Sequence, residues 1–131
     1  MILLDTHIWI WWIVRHQRLT EERRQWLLKH ETTGLGVSII SCWEITKLIE
    51  KNRLQFSCSI DEWFEQALKY PGIRLLELTL PIVLDAFQLP PPFHSDPADQ
   101  LIVATARVHD IPLLTADRKI LDYSHVQTIK P

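Results

Sequence analysis

The chain has 131 residues, of which 47% are hydrophobic, and its formal net charge is −2 at pH 7. This composition fits one globular domain with a sizeable core and argues against a disordered chain, and the near-neutral charge excludes a strong overall positive field that would attract nucleic acid. The two cysteines and six histidines form no cluster with zinc-ligand spacing, and the apolar run Ile8–Val14 is too short to cross a bilayer, so we expect a cytoplasmic protein with no membrane anchor.

Apolar runs alternate along the chain with helical patterns that are bounded by capping residues. The predicted strands are Ile2–Leu4, Val37–Ile40, Ile73–Leu78, Leu113–Thr115 and an edge strand at Val126–Ile129. The predicted helices are His7–Val14, Glu21–Glu31 after the N-cap Thr20, a helix from the capping box at Ser41 to about Lys51, one from a second capping box at Ser59 to about Tyr70, one from Pro81 to about Leu89, one from Pro97 to Val108 after the N-cap Asp96, and Arg118–Asp122. This alternation predicts one domain over residues 1–131, of α/β class, with three layers (α/β/α) and a mainly parallel central sheet.

Four acidic residues each follow one of these apolar runs or open the helix after it, so we expect all four to lie just past strand ends: Asp5, Glu44, Asp99 and Asp117. Because parallel strands bring their carboxyl ends to one edge of the sheet, we expect the four carboxylates to lie close together there. Gathered carboxylates repel one another unless a cation lies between them, which favours a site for Mg²⁺ or Mn²⁺.

Each acid taken alone also has a structural explanation. Asp5 could cap the following helix, and Glu44 could bond back to the backbone of Ser41 in a capping box. Asp99 stands three residues after the N-cap Asp96, and Asp117 could be a turn residue. The joint pattern favours a shared cation site over four unrelated caps.

Four segments carry a family resemblance: Leu3-Leu-Asp-Thr-His7, Val37-Ser-Ile-Ile-Ser-Cys-Trp-Glu-Ile45, His94-Ser-Asp-Pro-Ala-Asp-Gln-Leu-Ile-Val-Ala-Thr-Ala106 and Leu113-Leu-Thr-Ala-Asp117. Together they resemble the successive motifs of PIN-domain nucleases and, more closely, the VapC-type ribonuclease toxins of bacterial toxin–antitoxin pairs. Trp11-Trp12 and the segment Thr115–Ile120 strengthen the closer match. The resemblance covers essentially the whole chain and implies a PIN-like fold.

The resemblance implies an endoribonuclease that depends on Mg²⁺, with Mn²⁺ as a possible substitute, and that cleaves RNA phosphodiesters with metal-activated water. The family's catalytic and metal-binding acids fall on the quartet named above, with Glu44 able either to bind metal or to orient the attacking water. Asp96 would be an accessory acid, and Thr6 and Thr115 would orient the carboxylates. Gln100 stands where relatives often have Arg, which removes one local positive charge.

The resemblance also implies three partners, namely an RNA substrate, a cognate antitoxin and a second copy of the chain. The candidates for contact with RNA phosphates are Lys47, Lys51, Arg53, Arg118 and Lys119, and a solvated helix face is an equally good explanation for any single one. For the six tryptophans, packing in the core or in a dimer interface is favoured over stacking on RNA bases. The predicted helix that carries Trp9 and Trp12 is apolar nearly all round, which suits such an interface.

Two other functions remain open. A PIN nuclease could act in RNA processing or repair without an antitoxin, and a catalytically silent binding module could keep the same fold. A phosphatase with Asp5 as nucleophile is less favoured, because that chemistry usually needs a second acid two residues later and position 7 is His.

Overall fold

The computed structural model describes residues 1–129. The strands within this range are β1 (Ile2–Leu4), β2 (Leu35–Ser38), β3 (Ile73–Leu76) and β4 (Leu113–Leu114). The helices are α1 (Thr6–Val14), α2 (Glu21–His30), α3 (Ile39–Glu50), α4 (Ile60–Ala67), α5 (Leu80–Phe87), α6 (Pro97–His109) and α7 (Arg118–Leu121). None of these helices combines the length and the apolar character needed to span a bilayer.

The four strands form one parallel sheet in the order β3-β2-β1-β4. Side chains of β1 point alternately to its two faces, so Ile2 and Leu4 pack with residues of α1 to α4, whereas Leu3 packs with residues of α6 and α7. Both faces of the sheet are therefore covered by helices, which confirms the predicted three-layer α/β/α architecture. The carboxyl ends of β1, β2 and β4 meet at one edge.

The boundary between β2 and α3 differs from the prediction. The strand ends at Ser38, whose side-chain oxygen accepts a hydrogen bond from the backbone N–H of Ile40 and so caps α3. The β-branched residues Ile39 and Ile40 favoured a strand, but this cap places them in the first turn of a helix. The predicted capping box at Ser41 is therefore wrong, because Ser41 is a buried residue inside α3.

Two further expectations about the sheet are corrected. The predicted strand at Val126–Ile129 is reduced to a single parallel bridge between Thr128 and Leu113. In addition, α6 follows α5 and a proline-rich loop rather than a strand, so Asp99 does not lie just past a strand end. Packing of α6 against α3 and α5 brings its first turn to the edge of the sheet.

The apolar helix α1 lies inside the chain's own core. Ile8 and Trp9 are fully buried and Trp12 is nearly so. The ring of Trp9 lies 5.5 Å from that of Trp63, which stacks on Phe56 at 4.4 Å. Packing in the core therefore explains these three tryptophans, and the apolar character of α1 requires no dimer interface.

Candidate active site

Asp5 occupies the centre of the site because β1 lies between β2 and β4. Its side chain is 6% exposed. One carboxylate oxygen accepts a hydrogen bond from the backbone N–H of Thr6 at 2.8 Å, and the other accepts one from the hydroxyl of Thr115 at 2.6 Å. Burial raises the pKa of Asp5, and these two hydrogen bonds oppose the rise.

Glu44 lies on α3 and is held by the hydroxyl of Thr6, the first residue of α1. Oγ1 of Thr6 lies 2.5 Å from Oε1 of Glu44 and 2.8 Å from Oγ of Ser41. A threonine hydroxyl has one proton, so Thr6 donates to the carboxylate while the hydroxyl of Ser41 can donate to Thr6. Glu44 is thus oriented by Thr6 rather than by a capping box, and the structural alternative for Glu44 is wrong.

Asp99 lies in the first turn of α6, where Asp96 is the N-cap residue and accepts a hydrogen bond from the backbone N–H of Asp99 at 3.0 Å. Burial raises the pKa of Asp99 to about 7, with further contributions from the negative charges of its acidic neighbours Asp5, Asp96, Asp117 and Glu44. Burial also raises the pKa of Glu44, with the charges of Asp5 and Asp96 adding to the effect. Burial is therefore the main cause of both shifts, and repulsion between the neighbouring carboxylates adds to it.

Asp117 lies two residues after Thr115, beyond the end of β4. Its carboxylate caps α7 by accepting a hydrogen bond from the backbone N–H of Lys119 at 2.9 Å. Its own backbone N–H donates to Oγ1 of Thr115 at 3.0 Å. Because the same hydroxyl donates to Asp5, Thr115 links two of the acids, which supports its predicted orienting position.

The four predicted acids open into one cleft of about 330 Å³, together with Asp96. The cleft is lined by Asp5, His7, Trp11, Glu44, Asp96, Asp99, Ala116 and Asp117. Sequence reasoning missed His94, whose Nε2 lies 3.0 Å from Oδ2 of Asp99. His94 precedes the N-cap of α6 by two residues and is the first residue of the third segment that carries the family resemblance, which were the signals that could have found it.

The cleft contains the carboxylate ligands that a hard cation prefers, but they are not arranged as a metal site. Within residues 1–129, no three His, Cys, Asp or Glu side chains are grouped as a preformed metal site. The carboxylates of Asp5, Glu44, Asp99 and Asp117 nevertheless supply the oxygen ligands and the negative charge that Mg²⁺ or Mn²⁺ prefers. The residues fit such an ion in charge and ligand type.

Three of the five predicted RNA-contacting residues line a second cavity beside the cleft. This basic groove has a volume of about 350 Å³ and is lined by Trp43, Glu44, Lys47, Leu48, Lys51, Arg53, Asp96, Pro97 and Ala98. It shares Glu44 and Asp96 with the acidic cleft. Arg118 and Lys119 are exposed on α7 and line neither cavity, so their contact with RNA stays a prediction.

A PIN-domain family model matches residues 2–126 of the chain. The chain belongs to the PIN-domain family. This PIN domain is 34% identical to ribonuclease VapC22 of Mycobacterium tuberculosis over 128 residues, which are 98% of this chain and 95% of that protein. Both observations confirm the family that the sequence motifs predicted, and the second places the chain in the VapC branch of PIN domains.

Solved structures support the same fold. The PIN domain is similar to VapBC2 from Rickettsia felis bound to a DNA fragment from its promoter, with a TM-score of 0.74 and 15% identity over 98% of each chain. It is also similar to a toxin–antitoxin complex from Klebsiella pneumoniae, with a TM-score of 0.69 and 18% identity over 99% of this chain and 97% of that one. At these identities the similarity establishes the PIN fold.

Proposed function

We propose that this PIN domain is a metal-dependent endoribonuclease that acts as the toxin of a toxin–antitoxin pair. The observation that carries the proposal is the convergence of Asp5, Glu44, Asp99 and Asp117 on one cleft. Burial and repulsion by neighbouring acids raise the pKa of Asp99 to about 7. A helix-capping or turn role alone does not require acidic side chains to be buried so close to one another.

The proposed cofactor is Mg²⁺, with Mn²⁺ as a possible substitute. Asp5, Asp99 and Asp117 would hold it directly or through water, and Glu44 would bind it or orient the attacking water. When bound, such an ion neutralises charge on a phosphodiester and makes an attacking water more acidic. The threonines contribute orientation, because Thr115 fixes one oxygen of Asp5 and Thr6 fixes one oxygen of Glu44.

The proposed toxin function is supported by the names of similar proteins and similar solved structures. Ribonuclease VapC22 of Mycobacterium tuberculosis is a similar protein, and similar solved structures include toxin–antitoxin complexes. A cytoplasmic location and a cognate antitoxin that covers the acidic cleft belong to this proposal.

The proposed homodimer would use α5 rather than α1. Leu80, Val83, Leu84 and Phe87 lie on one face of α5 by their i, i+3, i+4, i+7 spacing, and they are 68%, 47%, 48% and 88% exposed. The stripe contains no charge, so it can face its own copy across a two-fold axis. Sedimentation of Phe87→Glu as a monomer beside a dimeric wild type would support this interface; an unchanged dimer would rule it out.

The nuclease proposal is tested by mapping RNA 5′ ends after expression of wild type, Asp5→Asn and Asp99→Asn. Both variants keep the side-chain shape and remove one negative charge, so we expect new ends only with wild type and a large loss of Mg²⁺-dependent cleavage in vitro. Wild-type rates in both variants would refute the metal-site assignment. Cleavage without growth arrest would instead favour a PIN nuclease of RNA processing or repair, and absence of divalent-metal binding by calorimetry would favour a silent binding module.

A further inference from the structure

The basic groove contains an exposed tryptophan that the core does not explain. Trp43 is 55% exposed, whereas Trp9, Trp12 and Trp63 are at most 7% exposed. It lies on α3 directly before Glu44 and lines the basic groove, which shares Glu44 and Asp96 with the acidic cleft. A large aromatic surface left in water at such a point is typical of a binding site.

The charges around Trp43 indicate the chemistry of the ligand. Nζ of Lys47 lies 5.3 Å from the centre of the Trp43 ring and 3.0 Å from a carboxylate oxygen of Glu50. Lys51 and Arg53 are exposed on the same groove, and neither takes part in an ion pair within residues 1–129. The groove thus offers one flat aromatic surface and two available cations.

We propose that the basic groove binds the nucleotide next to the scissile phosphate of a single-stranded RNA. Its base stacks on the indole of Trp43, and its phosphates contact Lys51 and Arg53. A nucleotide combines a flat ring with a diester charge, which matches this pairing of groups. The inference rests on the proposed ribonuclease function, because the shared residues Glu44 and Asp96 place the groove beside the cleft where cleavage would occur.

The test measures binding in the Asp99→Asn background, where the RNA is not consumed. The probes are fluorescently labelled single-stranded RNA octamers, one intact and eight with a single abasic position, and the readout is fluorescence anisotropy. We expect Trp43→Ala to weaken binding of the intact octamer about tenfold, as base–aromatic stacking typically contributes, and Trp43→Phe to restore most of it. Of the eight abasic octamers, the one that lacks the base stacked on Trp43 should bind the Trp43-containing protein more weakly by a similar factor. The same octamer should bind Trp43→Ala as tightly as the intact octamer does.

Trp26→Ala is the matched control. Trp26 is also partly exposed and has a lysine nearby, with Nζ of Lys29 4.9 Å from the ring centre, but it lines neither the cleft nor the groove. Its replacement should leave RNA affinity unchanged. Replacing Lys51 and Arg53 with Ala should flatten the salt dependence of log Kd by roughly 0.7 per lost phosphate contact.

RNA cleavage is also measured in two proteins that keep Asp99, one with Trp43 and one with Trp43→Ala. This measurement distinguishes failure of the stacking site from failure of the proposed nuclease function. RNA cleavage by wild type with equal RNA affinity in Trp43→Ala would overturn the stacking site and leave the nuclease proposal intact. Loss of binding to a protein partner in Trp43→Ala, with RNA affinity unchanged, would also overturn it. Absence of both cleavage and RNA binding in wild type would overturn both.

Discussion

The acidic cleft should destabilise the metal-free protein, and Asp99→Asn should reveal by how much. The ordinary pKa of an Asp carboxyl is 3.8, and burial among four acidic neighbours raises the pKa of Asp99 to about 7. A rise of this size corresponds to about 4 kcal/mol of folding free energy. Because the side chain is 17% exposed, solvent screens part of it, and we expect about 2–3 kcal/mol.

The sign of the effect follows from where the proton resides. Asp99 binds a proton more tightly in the folded state, so its contribution to stability is fully present below pH 3.8 and is lost as pH rises to about 7. Asparagine resembles the protonated form and does not titrate. Asp99→Asn should therefore be more stable than wild type at pH 8, and the difference should fall below about 1 kcal/mol at pH 4.

The assay is thermal unfolding in EDTA at both pH values. A gain of 2–3 kcal/mol corresponds to a rise in Tm of roughly 8–12 °C for a domain of this size. Adding Mg²⁺ should stabilise wild type more than Asp99→Asn, because the ion neutralises the same repulsion. The control is Asp61→Asn, an exposed acid in the first turn of α4, whose change should stay within about 1 kcal/mol. Equal effects of Asp99→Asn at pH 4 and pH 8, or no gain at pH 8, would refute the electrostatic reasoning.

Three other outcomes are expected. Thr115→Val removes the hydroxyl that donates to Asp5 and accepts from the N–H of Asp117. It should lower the rate of RNA cleavage about 10- to 100-fold, while circular dichroism shows an intact fold. A wild-type cleavage rate would exclude an orienting role for Thr115. Removing divalent metal with EDTA should abolish cleavage of labelled RNA, and adding Mg²⁺ or Mn²⁺ back should restore it. Gly72→Ala should lower stability by more than about 2 kcal/mol in urea unfolding, because Gly72 has φ +80° and an added Cβ would come within 2.9 Å of two backbone atoms of Glu31.

Local patterns predicted most of the fold. The apolar run at Ile2–Leu4 and the N-caps Thr20, Ser59 and Asp96 lie where the sequence placed them, because strand burial and helix capping depend on neighbouring residues. The alternation of strands and helices was sufficient for the α/β class and the parallel sheet. The four acids were also recognisable from the sequence as a set.

The local sequence could not decide between two neighbouring capping residues for α3. Ser38 and Ser41 are both plausible caps, and the structure selects Ser38. With Ser38 as the cap, α3 begins at Ile39, and Glu44 lies within the helix, where it accepts a hydrogen bond from Thr6 instead of closing a capping box. The exposure of Trp43, in contrast to the burial of Trp9, likewise depends on what packs against each helix face and has no sequence signal.

The sequence by itself predicted which acidic residues form a set and where most of the helices and strands lie, because periodicity, capping and family motifs depend on residues close together along the chain. Only the tertiary structure decided how the acids meet. Asp99 reaches the edge of the sheet through packing of α6 against α3 and α5, and Thr115 contacts Asp5 across 110 positions of sequence. The raised pKa of Asp99 follows from that convergence, since desolvation and charge repulsion depend on distances in space.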